Sequence, residues 1–349
     1  MKDVEKYMRR AMDLALKGEG FVSPNPMVGC VIVKDGQIIG EGWHKKHGDA
    51  HAEVNAINAV ADKSMLTDAD LFVNLEPCAH HGKTPPCADL IAQYPFATVY
   101  FSNIDPNPAV AGKGAEIIIA AGIKVYQGLL EAKGQELNRR FFSRHEQKRP
   151  YVVLKWAETA DGFIAKKNYD SKWISGELSR KLVHQWRSKE DAVLVGTNTV
   201  LFDNPQLNVR DWTGRDPVRI FIDKNLQVPQ GAHVFDATQP TVCFNYIKQC
   251  VENQVEYIKV DPLDDMDEAI LRYLHERGIL SVIVEGGALI IQSCIDKGWW
   301  DEARVFTAKT TFEEGIRAPR LSGANLFSKE NIEDDELKIF RNMQAKKLV

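Results

Sequence analysis

Three short stretches constrain this chain more than any other feature: His51-Ala52-Glu53, Pro77-Cys78 and Cys87. One histidine and two cysteines are good zinc ligands, and three protein ligands leave one tetrahedral position open for water. An open site is the catalytic pattern, whereas a structural zinc site is closed by a fourth side chain. His80 or His81, in the loop between the cysteines, is at hand to close it, but Glu53 would then have no task. The expected metal ligands are therefore His51, Cys78 and Cys87, with Glu53 as the catalytic proton carrier beside them.

At 349 residues and 44% hydrophobic content the chain can bury ample core, and its length favours two domains. A net charge of -4 provides no general basic field for nucleic acid, so the expected partner is a small molecule. Charges interrupt every apolar run of the N-terminal MKDVEKYMRRAMDLALKG, and no stretch approaches the ~18 apolar residues of a membrane span. No membrane association and a cytoplasmic location are expected. The six cysteines show no disulfide-type framework, so Cys78 and Cys87 read as metal ligands and the other four as buried thiols.

Apolar positions Val4, Tyr7, Met8, Ala11, Leu14 and Ala15 predict a helix over 3–17. Val28 to Val33 and Gln37 to Gly42 flank Asp35-Gly36, a two-residue hairpin signal. Helical spacing resumes from His51, placing His51 and Glu53 in a first helical turn, and a strand over 71–75 runs into Pro77-Cys78. Both cysteines are expected at helix starts, where unpaired amides favour a thiolate. Strands over 98–102 and 123–126 and helices over 114–121 and 129–140 complete an α/β sandwich with a largely parallel second half. The polar segment 143–150 marks the boundary between domains 1–146 and 147–349. Beyond it, strands over 151–157, 192–196, 218–223, 241–245 and 281–285 alternate with helices over 177–188, 197–202 and 267–277, again α/β. The last strand empties into Gly286-Gly287-Ala288 and a helix, where backbone amides can approach a phosphate. Trp299-Trp300 reads as sheet packing, and 328–349 as a solvated terminal element.

The H-x-E and P-C pattern resembles that of zinc deaminases of nucleobases, in which the glutamate moves protons without binding the metal. There the two cysteines stand two residues apart, whereas eight separate Cys78 from Cys87. This longer loop, EPCAHHGKTPPC from Glu76, and SPNPMVGCVIV from Ser23 resemble the bifunctional riboflavin-biosynthesis deaminase/reductase family. LKWAETADGFIA, DSKWISGE, VGTNTVLFDNPQLNVR and VEGG then follow in the order of that family's reductase half, so the resemblance spans 3–310.

The resemblance implies a cytidine-deaminase-like α/β/α sandwich followed by a dihydrofolate-reductase-like α/β domain, with Zn2+ and NADPH as cofactors. It implies a phosphorylated pyrimidine as substrate and a homo-oligomeric assembly. Carried over, Ala157, Trp173, Thr199, Asp203 and the run Gly287, Ala288, Leu289, Ile290, Ile291, Gln292 and Ser293 match cofactor positions. Asn25, His44 and Lys83 match substrate positions in the first domain, and Lys155, Ser171, Arg187, Leu207, Arg210 and Glu285 in the second. The Arg187 and Arg210 guanidiniums suit phosphate oxygens. Asp105 and Asn107, in DPNP, also read as an ordinary turn.

Three departures bear on the reductase pocket: Glu158 in place of a small residue, Lys224 in place of a hydroxyl, and Thr307 to Thr311 in place of a proline- and glycine-rich stretch. Glu158 and Lys224 are expected to affect how the cofactor lies. Two other readings compete. A tRNA or free-base deaminase needs an extended basic groove that the charge balance does not favour. A zinc-stabilised binding protein would hold nucleotide without turnover.

Overall fold

Alternating and helical apolar patterns resolve into two α/β units, Met1–Glu146 and Gln147–Val349, in the computed structural model, which describes residues 2–79, 85–108 and 110–348. In the first unit the chain runs α1 (Lys2–Ala15), β1 (Gly29–Lys34), β2 (Gln37–Trp43), α2 (Ala52–Ala59), β3 (Asp70–Leu75), α3 (Cys87–Ala92), β4 (Thr98–Asn103), α4 (Lys113–Ala120), β5 (Lys124–Gln127), α5 (Glu131–Leu137) and α6 (Arg139–Gln147). The sheet order is β2-β1-β3-β4-β5, with β1 antiparallel to both neighbours and β3, β4 and β5 parallel. Lys34 pairs with Gln37 across the Asp35-Gly36 turn, where both residues take positive φ. The two sheet faces bury different sets. Met8, Ala11 and Leu14 of α1 cover Val31 and Phe72, while Ala56 and Ile57 of α2 pack with Ile32, Leu71 and Val73 on the other side.

Two expectations for this unit need correction. The helix foreseen over 129–140 is broken, because the Asn138 side chain accepts a hydrogen bond from Met27 N at 2.8 Å and donates to Met27 O at 2.9 Å. The polar segment 143–150 is mostly α6, an amphipathic helix that buries Phe141 and Phe142 on one side.

The second unit contains β6 (Tyr151–Glu158), β7 (Phe163–Ala165), α7 (Glu177–Lys189), β8 (Ala192–Val195), α8 (Thr197–Asp203), β9 (Val218–Ile222), β10 (Thr241–Asn245), β11 (Cys250–Glu252), β12 (Val255–Lys259) and α9 (Met266–Glu276). It continues through β13 (Ser281–Gly286), α10 (Ala288–Lys297), β14 (Glu302–Thr307), β15 (Ile316–Arg317), β16 (Ala324–Ile332) and β17 (Asp335–Asn342). Ten strands form one sheet in the order β11-β12-β10-β9-β8-β13-β6-β14-β17-β16, and every pair from β12 to β14 is parallel. The parallel strands are continuous apolar runs because both faces are covered: α9 and α10 pack on one, and Val200, Leu207 and Trp186 on the other. Trp300 is fully buried in the first of these cores.

The segment 328–349 is not a solvated end. β17 pairs with β14 along six residues, from Glu302↔Arg341 to Thr307↔Glu336, and buries Leu337. Leu337 and Ile339 pack on one face and Phe340 on the other, so the Lys and Glu content masks a strand that is part of the sheet.

Candidate active sites

The three metal-ligand candidates converge from separate elements of the first unit. His51 is the N-cap of α2, one residue ahead of the turn that contains Glu53, and Cys87 is the first residue of α3. Nδ1 of His51 lies 3.5 Å from Cys78 Sγ and 3.4 Å from Cys87 Sγ, and the three ligand atoms lie within 4.8 Å of one another. Cys78 does not open a helix, since β3 runs on as irregular chain through Pro77. Its sulfur instead accepts a 3.3 Å hydrogen bond from the Cys87 amide, so the start of α3 serves the neighbouring ligand as well as its own.

A hydrogen bond from the Cys87 thiol, together with one from His51, holds Cys78 below the usual thiol range against its burial, while Cys87, which supplies the proton, is pushed well up. One ready thiolate, a second sulfur and an imidazole nitrogen are the donor chemistry that zinc selects, and the residues fit that ion. Glu53 is 3% exposed, and burial pushes its carboxyl up to about 7, with the Cys78 thiolate adding to the shift and His51 opposing it. A carboxyl balanced there can both take and return a proton near neutral pH.

Asn25 and His44 lie at the same place. His44 Nδ1 faces Ala50 O at 3.2 Å, which makes it the donor and leaves Nε2 to accept from Asn25 Nδ2 at 3.1 Å. The ring stands edge-on to His51 at 5.4 Å, and burial holds His44 below its ordinary pKa, a neutral imidazole. Lys83, like His80 and His81, lies outside the described residues. Asp105 accepts from Asn107 N at 2.8 Å, the bond of a turn. Glu76, given no role by the sequence, accepts from the amides of Asp105, Gly112 and Ala115 at 3.0–3.2 Å and so ties the Cys78 segment to the neighbouring loop and to α4.

In the second unit a cavity of about 1260 Å³ lies at the C-terminal ends of β6, β8, β9 and β13, the edge where open parallel sheets bind ligands. All the second-domain residues expected at a site line it except Gln292, whose amide turns to Asp296 and Arg320. Gly287 has a φ of 82°, the left-handed region, directly before α10, and this is the turn that exposes the helix's first amides. Trp173 is 67% exposed at the rim, with the Arg180 guanidinium 4.6 Å from its ring centroid, so it is not core.

The two arginines differ. Arg187 is buried, with Nε and Nη2 on Glu285 at 2.6 and 2.7 Å and Nη1 on Asn208 O at 3.1 Å. Two of its nitrogens are thus turned to a carboxylate rather than to the open cavity. Arg210 remains half-exposed at the rim. Lys155 is held below its ordinary pKa by burial, which Glu285 opposes. Ser171 donates to Asp203 at 2.9 Å. Glu158 does not line the cavity, because its carboxylate accepts from Trp156 Nε1 at 2.8 Å, whereas Lys224 does line it. His184, one turn before Arg187 on α7, is a lining residue that the sequence reading missed. Its i−3 spacing from Arg187 was the available signal.

A buried carboxyl beside a His/Cys/Cys cluster fit for zinc in one α/β unit, and a cavity along the strand ends of another, are the frame of a zinc enzyme joined to a ligand-binding α/β domain. Residues 1–103 match the model of the cytidine and deoxycytidylate deaminase zinc-binding region, and residues 150–340 that of the RibD C-terminal domain. The chain is 40% identical to the riboflavin biosynthesis protein RibD of Aquifex aeolicus over 90% of each chain, and 41% identical to that of Bacillus amyloliquefaciens over 94% of this chain and 90% of the relative. It superposes with a TM-score of 0.90 and 39% identity on a diaminohydroxyphosphoribosylaminopyrimidine deaminase/5-amino-6-(5-phosphoribosylamino)uracil reductase from Thermotoga maritima, covering 98% of this chain and 99% of that one. Acinetobacter baumannii RibD matches at 0.90 with 34% identity, over 98% and 99%. The chain belongs to the RibD family of bifunctional deaminase/reductases of riboflavin biosynthesis. Its substrates are small molecules, and among the described residues no helix is long and apolar enough to cross a membrane.

Proposed function

We propose that the first unit removes an amino group, as ammonia, from 2,5-diamino-6-(5-phosphoribosylamino)pyrimidin-4-one. The second unit then reduces the ribosyl group of 5-amino-6-(5-phosphoribosylamino)uracil to ribityl with NADPH. The observation that carries this reading is the convergence of His51, Cys78 and Cys87 on one side of a buried Glu53.

His51, Cys78 and Cys87 would hold zinc, which when bound supplies a Lewis acid that lowers the pKa of water toward ~7. Glu53 accepts the proton of the attacking water and returns it to the departing amine. The Asn25 side chain, oriented by His44, presents its amide to the edge of the heterocycle. Lys83 suits the phosphate at the far end of the ribosyl chain. In the second unit the first amides of α10 and the residues Gly287 to Ser293, with Ala157, Trp173, Thr199 and Asp203, seat the cofactor, Gln292 acting from outside the lining. Ser171, Leu207 and Arg210 hold the substrate, with Arg210 on its phosphate. Arg187 fixes Glu285, and Lys155, held below its ordinary pKa by burial, faces the ribosyl end. What this unit contributes is alignment of the two reacting carbons and exclusion of water.

A cytoplasmic location fits six cysteines that are all free. A homo-oligomer is the assembly we expect, and light scattering reads it directly. The test of the function is Glu53→Gln. The variant should retain zinc and fold, and should lose ammonia release by several orders of magnitude. Unchanged ammonia release would overturn the role of Glu53, and a protein that binds substrate without turnover in either form would make it a binding protein.

A further inference from the structure

His184 is nearly buried on α7 and lines the reductase cavity with Arg180, Val183 and Arg187 on the same helix face. Its Nδ1 lies 2.9 Å from Asn208 O. A carbonyl only accepts, so Nδ1 carries a proton. Its other nitrogen, Nε2, lies 3.2 Å from Asp211 Oδ2, and Arg210 Nε approaches the same oxygen at 3.7 Å. With Nδ1 already protonated, the contact with a carboxylate is attractive only when Nε2 carries a proton too.

The charges around the ring decide when that occurs. Burial, Arg187 on α7 and Arg210 on the following loop hold the ring below its ordinary pKa; the Asn208 carbonyl, Asp211 and the more distant Glu285 of β13 favour the charged form. The ring therefore becomes imidazolium only against an anion. Asp211 is the nearest anion, and with it in place the ring still stays below its ordinary pKa; its side chain is 48% exposed and does not line the cavity. The His184 ring and the Arg210 guanidinium thus face one oxygen of a carboxylate that solvent can readily take back. Exposed ion pairs are weak and easily exchanged, whereas a phosphate dianion offers more charge and more acceptor oxygens.

We propose that Asp211 is a resident stand-in for the phosphate monoester of the reductase substrate: on binding, phosphate oxygens replace the Asp211 carboxylate on His184 Nε2 and on Arg210. His184 is then a phosphate ligand of this site. The inference rests on the reading of the second unit as a reductase of a ribosyl phosphate.

Ribose 5-phosphate is the probe, and its Kd is measured calorimetrically on the full-length protein. If Asp211 competes with the ligand, removing it strengthens binding. An exposed pair is worth little, so Asp211→Ala should tighten the Kd by about two- to fivefold. His184→Gln loses a charge-assisted hydrogen bond and should weaken it by about 10- to 100-fold. In the double variant the tightening from Asp211→Ala should shrink, because only Arg210 is left for Asp211 to contest. A merely structural Asp211 would give weaker or unchanged binding in Asp211→Ala, and that result overturns the proposal, as does full tightening in the double variant. Failure of the wild-type protein to bind ribose 5-phosphate would instead remove the ribosyl phosphate reading, and this proposal with it. Thermal melts of each variant confirm that folded protein is compared.

Discussion

Gly42→Ala tests whether the deaminase site depends on how closely α2 approaches β2. A Cβ on Gly42 would lie 2.3 Å from Ala56 N and 2.4 Å from Ala52 O, against 3.4–4 Å for ordinary contact. Both clashing atoms are backbone, so no side chain can rotate away and the helix itself must retreat by about 1 Å. α2 carries His51 at its N-cap and Glu53 in its first turn. Overpacking of this kind costs about 1–3 kcal/mol of stability, and a displacement of ~1 Å at reacting groups costs on the order of 100-fold in rate. The variant is assayed for ammonia release from the diaminopyrimidinone, and separately for NADPH oxidation with the deaminated intermediate supplied. Ammonia release should fall by about two orders of magnitude at a temperature where the protein is still folded, while the second unit's reduction is retained. Ammonia release within a few-fold of wild type, in a folded variant, would refute the reasoning that helix position sets the site.

Other outcomes concern the second unit and the metal. Arg187→Met leaves Glu285 buried without its main partner and should destabilise the unit by about 3–5 kcal/mol, a Tm shift on the order of 10 °C. The Arg187→Met/Glu285→Leu double variant should melt above either single one in calorimetry, because the uncompensated charge is gone. Although burial works against it, the Arg219 guanidinium, with Thr238, holds Asp236 down at about 2. A depressed carboxyl contributes stability above its unfolded value of ~3.9 that disappears as pH falls toward 2. Asp236→Asn should therefore lower Tm at pH 7, with the gap to wild type closing between pH 4 and 2 in a melting series. Cys87→Ser should lose zinc in elemental analysis and abolish ammonia release, while NADPH oxidation of the deaminated intermediate continues.

What was legible in the sequence was what local chemistry dictates. Asp35-Gly36 demanded a hairpin because both residues tolerate positive φ, and the parallel strands of the second unit announced themselves as unbroken apolar runs buried on both faces. The metal cluster was legible because its residue types are scarce and have few other uses. Less visible were features decided by partners distant in sequence. The break after α5 depends on Asn138 meeting Met27. The strand character of 335–342 depends on pairing with β14, which its charged residues conceal. Cys78 was expected at a helix start, but the helical amide that meets its sulfur belongs to Cys87. The commitment of Arg187 to Glu285, 98 positions away in the sequence, could not be read from either residue. A motif thus identifies the residues of a site but not which of them are already engaged with one another.

The central claim is two successive reactions on one chain, amine removal followed by ribosyl reduction. Its most direct measurement supplies the purified zinc-loaded protein with the diaminopyrimidinone ribosyl phosphate and NADPH, and records ammonia and NADPH absorbance together. Ammonia should appear first and NADPH should fall after a lag, with the Glu53→Gln protein giving neither signal until deaminated intermediate is added. NADPH oxidation that starts without ammonia, or proceeds unchanged in Glu53→Gln, would contradict the account.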